Sequence, residues 1–242
     1  MDYRIVIRSY KRVNVLMCRT LPILKRNFLL SKTIICVQDE SELEAYKEGL
    51  KEYPELNYKI APRSSAFEAY HAISILFPER YPLLFLDDDL IDFFTFDDTL
   101  VCHKNACCLD TTLQNAFQRI QDDDLGSFTF NFSTNKMYVV KPPKMDFMMT
   151  FIYGGAFGVL NNHSLFQNLQ PLDDCEITAR LWTRFGGTLI LRRAGFRINV
   201  AESLAGGSSD ASFRQEQTRL ETTKLLCEAL LPKYPDIFAG IK

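Results

Sequence analysis

Asp87-Asp88-Asp89 is the run in this chain whose residue types and spacing best suit metal and phosphate chemistry. Three adjacent carboxylates repel one another, which raises the cost of ionising all three. A divalent cation removes that cost. Mg2+ and Mn2+ take oxygen ligands and are commonly held by one or two carboxylates together with substrate phosphates. Such an ion also neutralises charge on a departing phosphate group. An exposed acidic turn is the competing reading, and the chain holds a second triplet, Asp122-Asp123-Asp124. That one follows a helix-like stretch and precedes Leu125-Gly126, as a solvated turn would. Further acids, Asp173 and Asp174, open a helical pattern that runs to Arg184, where carboxylates are stabilised by exposed amides and the helix dipole.

The elements around the first triplet separate it from the second. Arg4-Ile5-Val6-Ile7-Arg8 reads as a first strand, and Val13 to Leu30 as helix, restarted at Thr20-Leu21-Pro22 where Pro suits a first turn. Thr33-Ile34-Ile35-Cys36-Val37 is the continuous β-branched run of a buried parallel strand. Glu40 to Lys51 follows as a charged helix, and Tyr58-Lys59-Ile60 as a third strand. Ser64 to Phe77 has helical spacing, and Pro82 to Leu86 is a fourth strand. Strand and helix thus alternate four times, the pattern of an open parallel α/β sheet. Ligands bind such sheets beyond the carboxyl ends of the strands. Asp87-Asp88-Asp89, Gln38-Asp39 and Ser9-Tyr10 end the fourth, second and first strands, so three polar clusters share one rim.

The second part is more mixed. Phe128 to Phe132 alternates like a half-buried strand, with Met137 to Val140 as a possible partner. Phe151 to Leu160 reads as a strand with a Gly-rich interruption. Asp174 to Arg184 reads as a helix ended by Gly186-Gly187, and Thr188 to Leu191 as a strand. Ala205 to Ser209 reads as a flexible loop, and Phe213 to Leu231 as an amphipathic helix.

Composition sets outer bounds. A chain of 242 residues, 47% hydrophobic and 24% charged, can bury one sizeable core. Apolar stretches stop short of membrane-spanning length and no signal peptide is visible, which makes the expected location cytoplasmic. Seven cysteines with three histidines and no CxxC pair argue against structural zinc and for reduced, mostly buried thiols. The net charge of −2 does not describe a wholly basic nucleic-acid-binding surface. Local basic clusters remain near Lys11 to Arg26 and Arg180 to Arg197.

Leu84-Phe85-Leu86-Asp87-Asp88-Asp89 resembles the DxD motif that closes the fourth strand in GT-A glycosyltransferases. That resemblance implies a GT-A-like α/β fold: an open, mostly parallel sheet flanked by helices. It implies one domain over residues 1–242, with a nucleotide-sugar-binding half (1–90) and a mixed acceptor-binding, catalytic half (91–242). By the same resemblance Asp87 and Asp89 hold Mn2+ or Mg2+, and Asp87 and Asp88 contact the donor, Asp88 as the secondary one. Ser9, Tyr10 and Arg12, in the turn Ile7 to Arg12, would hold the nucleotide of a donor, a UDP-sugar being the first expectation. Gln38 and Asp39 would lie near its base, and Arg63 would face its diphosphate. Ala61 to Ser65 reads equally as a plain helix N-cap.

Leu172-Asp173-Asp174-Cys175-Glu176-Ile177-Thr178-Ala179-Arg180 is similar to the family's acidic motif before a helix ending in Arg. The likeness makes Asp174, with Asp173 beside it, the base of an inverting transfer to a hydroxyl. Glu176 departs from the commoner Asp, and no C-terminal histidine is evident to complete a metal shell. Tyr153-Gly154-Gly155-Ala156-Phe157-Gly158 resembles the acceptor-side Gly-rich segment, which would put Gly154 and Gly155 at the acceptor; a bulged strand explains it equally. Gly206, Gly207 and Ser208 resemble a loop that closes over the donor diphosphate. Trp182 reads either as an acceptor-stacking residue or as core. The whole pattern also resembles the TET/JBP-associated glycosyltransferases of bacteriophages. That likeness implies DNA bearing hydroxymethylated pyrimidine as acceptor, and a host cytoplasm as setting.

Overall fold

In the computed structural model, residues 1–63, 65, 68–135, 139, 145–148, 150–169, 173–198, 224 and 228–238 are described. The Gly206-Gly207-Ser208 loop and most of the expected final helix lie outside the described residues, as does Met137 to Val140 apart from Val139. The four expected strands form as β1 (Arg4–Arg8), β2 (Thr33–Val37), β3 (Asn57–Ile60) and β4 (Pro82–Leu86). They pair in parallel in the order β3-β2-β1-β4. The crossovers are helical: α1 (Val13–Cys18) and α2 (Thr20–Arg26), then α3 (Glu40–Gly49), then α4 (Glu68–Ser74).

Beyond β4 the sheet becomes mixed. The further strands are β5 (Asp92–Phe96), β6 (Cys102–His103), β7 (Ser127–Asn131), β8 (Met145–Met148), β9 (Ala156–Leu160) and β10 (Thr188–Arg197). Neighbours continue from β4 as β9-β7-β10-β5-β6, and β8 pairs with β10. β9 runs antiparallel to both β4 and β7, while β10 is parallel to β7. Helices α5 (Leu109–Asp122), α6 (His163–Phe166) and α7 (Asp173–Phe185) complete the layers.

Both faces of the sheet are covered, so strand residues alternate between two cores. Ile5, Ile7, Leu84 and Leu86 join one cluster, with Leu16, Leu21 and Phe117 from α1, α2 and α5. Val6, Leu83 and Phe85 join the other, with Tyr70, Phe166 and Ile177 from α4, α6 and α7. Phe85 stacks on Phe157 across the β4–β9 pair at 5.2 Å. Truncating a ring in such a site to Ala costs about 3–5 kcal/mol.

Several sequence expectations are corrected. β7 is buried on both faces rather than half-buried, because it lies inside the sheet between β9 and β10. The segment 151–155 is not strand; the strand begins only at Ala156. β10 runs to Arg197, past the expected end at Leu191, through a register shift between Leu191 and Gly195. The thiols are not mostly buried: Cys18, Cys107 and Cys108 are exposed and only Cys36 is buried among the described residues. Asp122-Asp123-Asp124 is the expected solvated turn at the end of α5, with Asp124 in the left-handed region and paired to Arg80. No helix among the described residues is long and apolar enough to cross a membrane.

Candidate active site

The parallel register of β1 and β4 pairs Ile7 with Leu86, so Arg8 and Asp87 emerge side by side at the carboxyl rim. Arg8 Nε donates to Asp87 Oδ1 at 3.1 Å, and its Nη1 donates to Asp173 Oδ2 at 3.2 Å. One guanidinium fork therefore joins the acid at the end of β4 to the acid at the start of α7. The fork is itself fixed, with Cζ 4.1 Å from the centre of the Tyr70 ring. The Tyr70 hydroxyl donates to the Gly154 carbonyl at 2.9 Å, and the Asp87 amide donates to the Gly155 carbonyl at 2.9 Å.

Gly154 and Gly155 pass close between the two acidic clusters. A Cβ on Gly154 would lie 3.1 Å from the Tyr70 hydroxyl oxygen and 3.4 Å from Asp174 Cβ. A Cβ on Gly155 would lie 3.3 Å from Asp87 Oδ2 and 2.4 Å from the Tyr153 ring. The absent side chains let the backbone approach both carboxylates.

The turn after β1 folds onto the other two acids of the triplet. Asp88 is only 3% exposed; Ser9 Oγ donates to its Oδ2 at 2.5 Å, and Arg12 Nη1 pairs with its Oδ1 at 2.9 Å. Arg12 Nη2 reaches Asp89 Oδ2 at 3.0 Å. Burial pushes the Asp88 carboxyl up to about 7, against the pull of Arg12 and Ser9. Asp88 is thus turned inward as the anchor of this turn, whereas Asp87 and Asp89 keep 28% and 36% of their side chains exposed.

Ser9 Oγ also lies 2.6 Å from the Tyr46 hydroxyl, which accepts the Arg12 amide at 3.1 Å. The buried carboxylate of Glu42 clamps two rim loops together by accepting the amides of Lys11 and Gln38, both at 2.8 Å. Asp39 caps α3 by accepting the Glu42 amide at 2.9 Å. Arg63 Nη2 donates to the Ser9 carbonyl at 3.1 Å, while its Nη1 is buried without a hydrogen-bond partner among the described residues. Burial lowers the pKa of this guanidinium.

At the start of α7, Asp174 Oδ1 accepts the Cys175 amide at 2.9 Å, and Asp173 Oδ1 accepts the Asp174 amide at 3.0 Å. Burial, reinforced by the neighbouring Asp173 charge, pushes Asp174 up to about 6. The Tyr153 phenol is pushed up to about 12, first by burial and then by the charges of Asp87, Asp89 and Asp174. Four carboxylates (Asp87, Asp88, Asp89 and Asp173) thus pair with two guanidinium groups, those of Arg8 and Arg12, and Asp174 adds a fifth beside Asp173. The excess is negative. Among the described residues no group of three His, Cys, Asp or Glu is arranged to hold a metal ion. Asp87 and Asp89, the partly exposed carboxylates of the triplet, are the residues that could hold a divalent cation, with its remaining ligands supplied by a phosphate group.

The structure brings Ser9, Arg12, Arg63, Asp87, Asp88, Asp89, Gly154, Gly155, Asp173 and Asp174 into one connected rim. Gln38 and Asp39 join it through Glu42. Tyr10 is half-buried, with the Lys11 ammonium 4.8 Å from its ring centre. Trp182 is not brought to the acids: it lies eight residues past Asp174, about 12 Å along the helix, and its indole N–H donates to the Thr150 carbonyl at 3.1 Å. Glu176 and Arg180 are occupied structurally. The Glu176 side chain is 1% exposed and pairs with Arg180 at 2.7 Å, and Arg180 also donates to the carbonyls of Ser164, Leu165 and Gln167. Sequence reasoning did not single out Arg8, Tyr70 or Tyr153, although Arg8 and Tyr153 stood inside the segments Ile7 to Arg12 and Tyr153 to Gly158. Arg8 carried a signal, as the last residue of a strand whose successors were already implicated.

The chain matches no protein-family model. No curated protein matches it in sequence. Solved structures do match. A mannosyltransferase, PcManGT from Pyrobaculum calidifontis, in complex with GDP-Man and Mn2+, aligns with a TM-score of 0.50 and 11% identity over 78% of this chain and 54% of its own. GalNAc-T7 with UDP, GalNAc and Mn2+ aligns with a TM-score of 0.52 and 12% identity over 98% and 50%. S. aureus TarS 1-349 with UDP aligns with a TM-score of 0.50 and 11% identity over 83% and 61%. The chain has the GT-A fold. It spans about half to three-fifths of the length of these three structures. The GT-A likeness expected from Leu84 to Asp89 is therefore borne out at the level of fold, as is the α/β class with parallel core strands.

Proposed function

We propose that the chain is a metal-dependent glycosyltransferase that moves a sugar from a nucleotide-sugar donor to a hydroxyl acceptor. The observation that carries this reading is the Arg8 fork, which holds Asp87 and Asp173 in one site. Asp87 and Asp89 would hold Mn2+ or Mg2+ jointly with the donor diphosphate; when bound, the ion neutralises the charge that builds on the leaving nucleotide. Arg12 and Arg63 border the same turn and supply cationic N–H donors for diphosphate oxygens. Asp88, Ser9 and Tyr46 fix that turn rather than touch the donor.

Asp174 is the base in this reading. A carboxyl pushed up to about 6 can take a proton near neutral pH more effectively than an ordinary Asp. It accepts the acceptor hydroxyl proton as that oxygen attacks the anomeric carbon from the face opposite the nucleotide, which inverts the configuration. Asp173, paired to Arg8, lies beside it, and the Asp173 charge adds to the basicity of Asp174. The Gly154-Gly155 turn, lying between the acids, borders the space left for the acceptor.

The resemblance to phage DNA-modifying transferases rests on Ser9 to Arg12, Leu84 to Asp89 and Tyr153 to Gly158, and the acceptor class is decided by experiment. Wild-type protein is given a panel of nucleotide sugars with Mn2+ and three acceptor classes: hydroxymethylpyrimidine DNA, oligosaccharide and peptide. NMR of the product reports the anomeric configuration. Transfer with inversion, lost in Asp174→Asn, supports the proposal. Retention of configuration would remove Asp174 from the role of base.

A further inference from the structure

The pairing of Arg12 with Asp89 poses a problem for metal binding. The proposed reading gives Asp89 to the cation, yet Arg12 Nη2 sits on that carboxylate at 3.0 Å. A divalent ion approaching Asp89 in this arrangement meets a guanidinium at contact distance, a like-charge repulsion. The seat is also incompletely satisfied, because Arg12 Nε is buried without a hydrogen-bond partner among the described residues. Buried donors are rarely left so.

The two arginines of the rim are held differently. Arg8 bridges Asp87 and Asp173 and lies against Tyr70, so three contacts oppose its movement. Arg12 has one inward contact, Asp88, which is buried and also held by Ser9, and one outward contact, Asp89, whose side chain is 36% exposed. Asp88 therefore fixes the guanidinium at one end while the Asp89 end opens to solvent. Arg63, bound to the carbonyl of Ser9 in the same turn, has its own unpartnered Nη1. A diphosphate arriving at this turn meets two guanidinium groups, each with one buried N–H that has no hydrogen-bond partner among the described residues.

We propose that Arg12 is an exchangeable counter-cation: it neutralises Asp89 when no donor is bound, and leaves Asp89 for the diphosphate when one arrives, freeing that carboxylate for the metal. The inference rests on the glycosyltransferase reading and adds a consequence to it. Metal and nucleoside diphosphate bind interdependently, each raising the affinity of the other by the same factor, as linkage requires. Asp88 keeps Arg12 tethered throughout, so the exchange is a pivot of the outer end of the side chain.

The test uses the full chain with Mn2+ and UDP or GDP as probes. Free Mn2+ is counted by electron paramagnetic resonance while nucleotide is held at zero or at saturation. Mn2+ affinity is expected to rise about 10- to 100-fold with saturating nucleotide, a coupling of ordinary size. Nucleotide affinity, measured by calorimetry, is expected to rise by the same factor with saturating Mn2+. Arg12→Gln is expected to take Mn2+ more tightly in the absence of nucleotide and to lose most of the coupling. Should that variant fail to fold, Arg12→Lys, which keeps a cation for Asp88 but cannot span both acids, is expected to show reduced coupling. If Mn2+ and nucleotide bind the wild type interdependently but Arg12→Gln takes Mn2+ without nucleotide no more tightly than the wild type, the exchange is wrong while the glycosyltransferase reading stands; fully independent binding would also remove the ion shared with the diphosphate. If neither UDP nor GDP binds with or without Mn2+, the reading fails and takes the exchange with it.

Discussion

Asp174→Asn is expected to make the protein more stable at alkaline pH while removing transfer. Burial at the head of α7, together with the Asp173 charge, pushes the Asp174 carboxyl up to about 6. Unfolded, it would ionise near 3.9. A carboxyl with a raised folded pKa favours the folded state most when protonated. That contribution is fully present below about pH 3.9 and is lost as pH rises through 6. The distance between about 3.9 and about 6 corresponds to about 3 kcal/mol, and the partial exposure of Asp174 lowers the expectation to about 2 kcal/mol through solvent screening. Asn keeps an oxygen for the Cys175 amide and has nothing to ionise. Urea unfolding of both proteins at pH 4 and pH 8 separates the effect from other carboxylates, because only the difference between them is read. The variant is expected to gain about 2 kcal/mol relative to wild type between the two pH values, with transfer reduced about 100- to 10,000-fold. A difference that does not change with pH would refute the assignment of a raised pKa to Asp174, and with it the case for Asp174 as base.

Arg8→Met keeps bulk against Tyr70 but removes the fork between Asp87 and Asp173; about 3 kcal/mol of stability is expected to be lost in urea titrations, from two charge-assisted hydrogen bonds discounted for partial exposure. Gly154→Ala places a Cβ 3.1 Å from the Tyr70 hydroxyl oxygen and 3.4 Å from Asp174 Cβ, and steady-state kinetics should show a fall in kcat of at least about tenfold through misplacement of the acids. Glu176→Gln leaves Arg180 without its buried charge partner, and thermal unfolding should report a loss of about 3 kcal/mol. Trp182→Phe removes the hydrogen bond to the Thr150 carbonyl, for a stability loss of about 1 kcal/mol, and donor hydrolysis should not change.

Much of the parallel half was legible because its cues are local. The β-branched runs of β1 and β2, the Pro at the start of α2 and the apolar run ending at Asp87 each carry their meaning within a few residues. That placed Asp87, Gln38 and Ser9 on one rim without any tertiary information. Which member of the triplet turns inward was not legible. Asp88 does so because Ser9 and Arg12, some 79 and 76 positions earlier, meet it across the β1–β4 pair. The Arg8–Asp173 link spans 165 positions and depends on where α7 docks. β5 was missed because Asp92-Phe93-Phe94-Thr95-Phe96 has no alternation: Phe93 and Phe94 both bury, and Asp92 buries by accepting the Asn105 amide and pairing with Arg26. The extent of β10 was hidden by Arg192-Arg193, two charges that interrupt the apolar run after Leu191. Both are at least half-buried, tied to Asp146 and Asp98.

The central claim is that one rim, Asp87 and Asp89 facing Asp174, breaks the bond between a sugar and a nucleoside diphosphate. Release of nucleoside diphosphate from a panel of nucleotide sugars, with Mn2+ present, measures that directly in wild type, Asp89→Ala and Asp174→Asn. Mn2+-dependent release from at least one donor is predicted for the wild type. It should fall at least about 100-fold in Asp89→Ala, and acceptor-stimulated release should be absent in Asp174→Asn. No release from any donor, or equal release by all three proteins, would contradict the account.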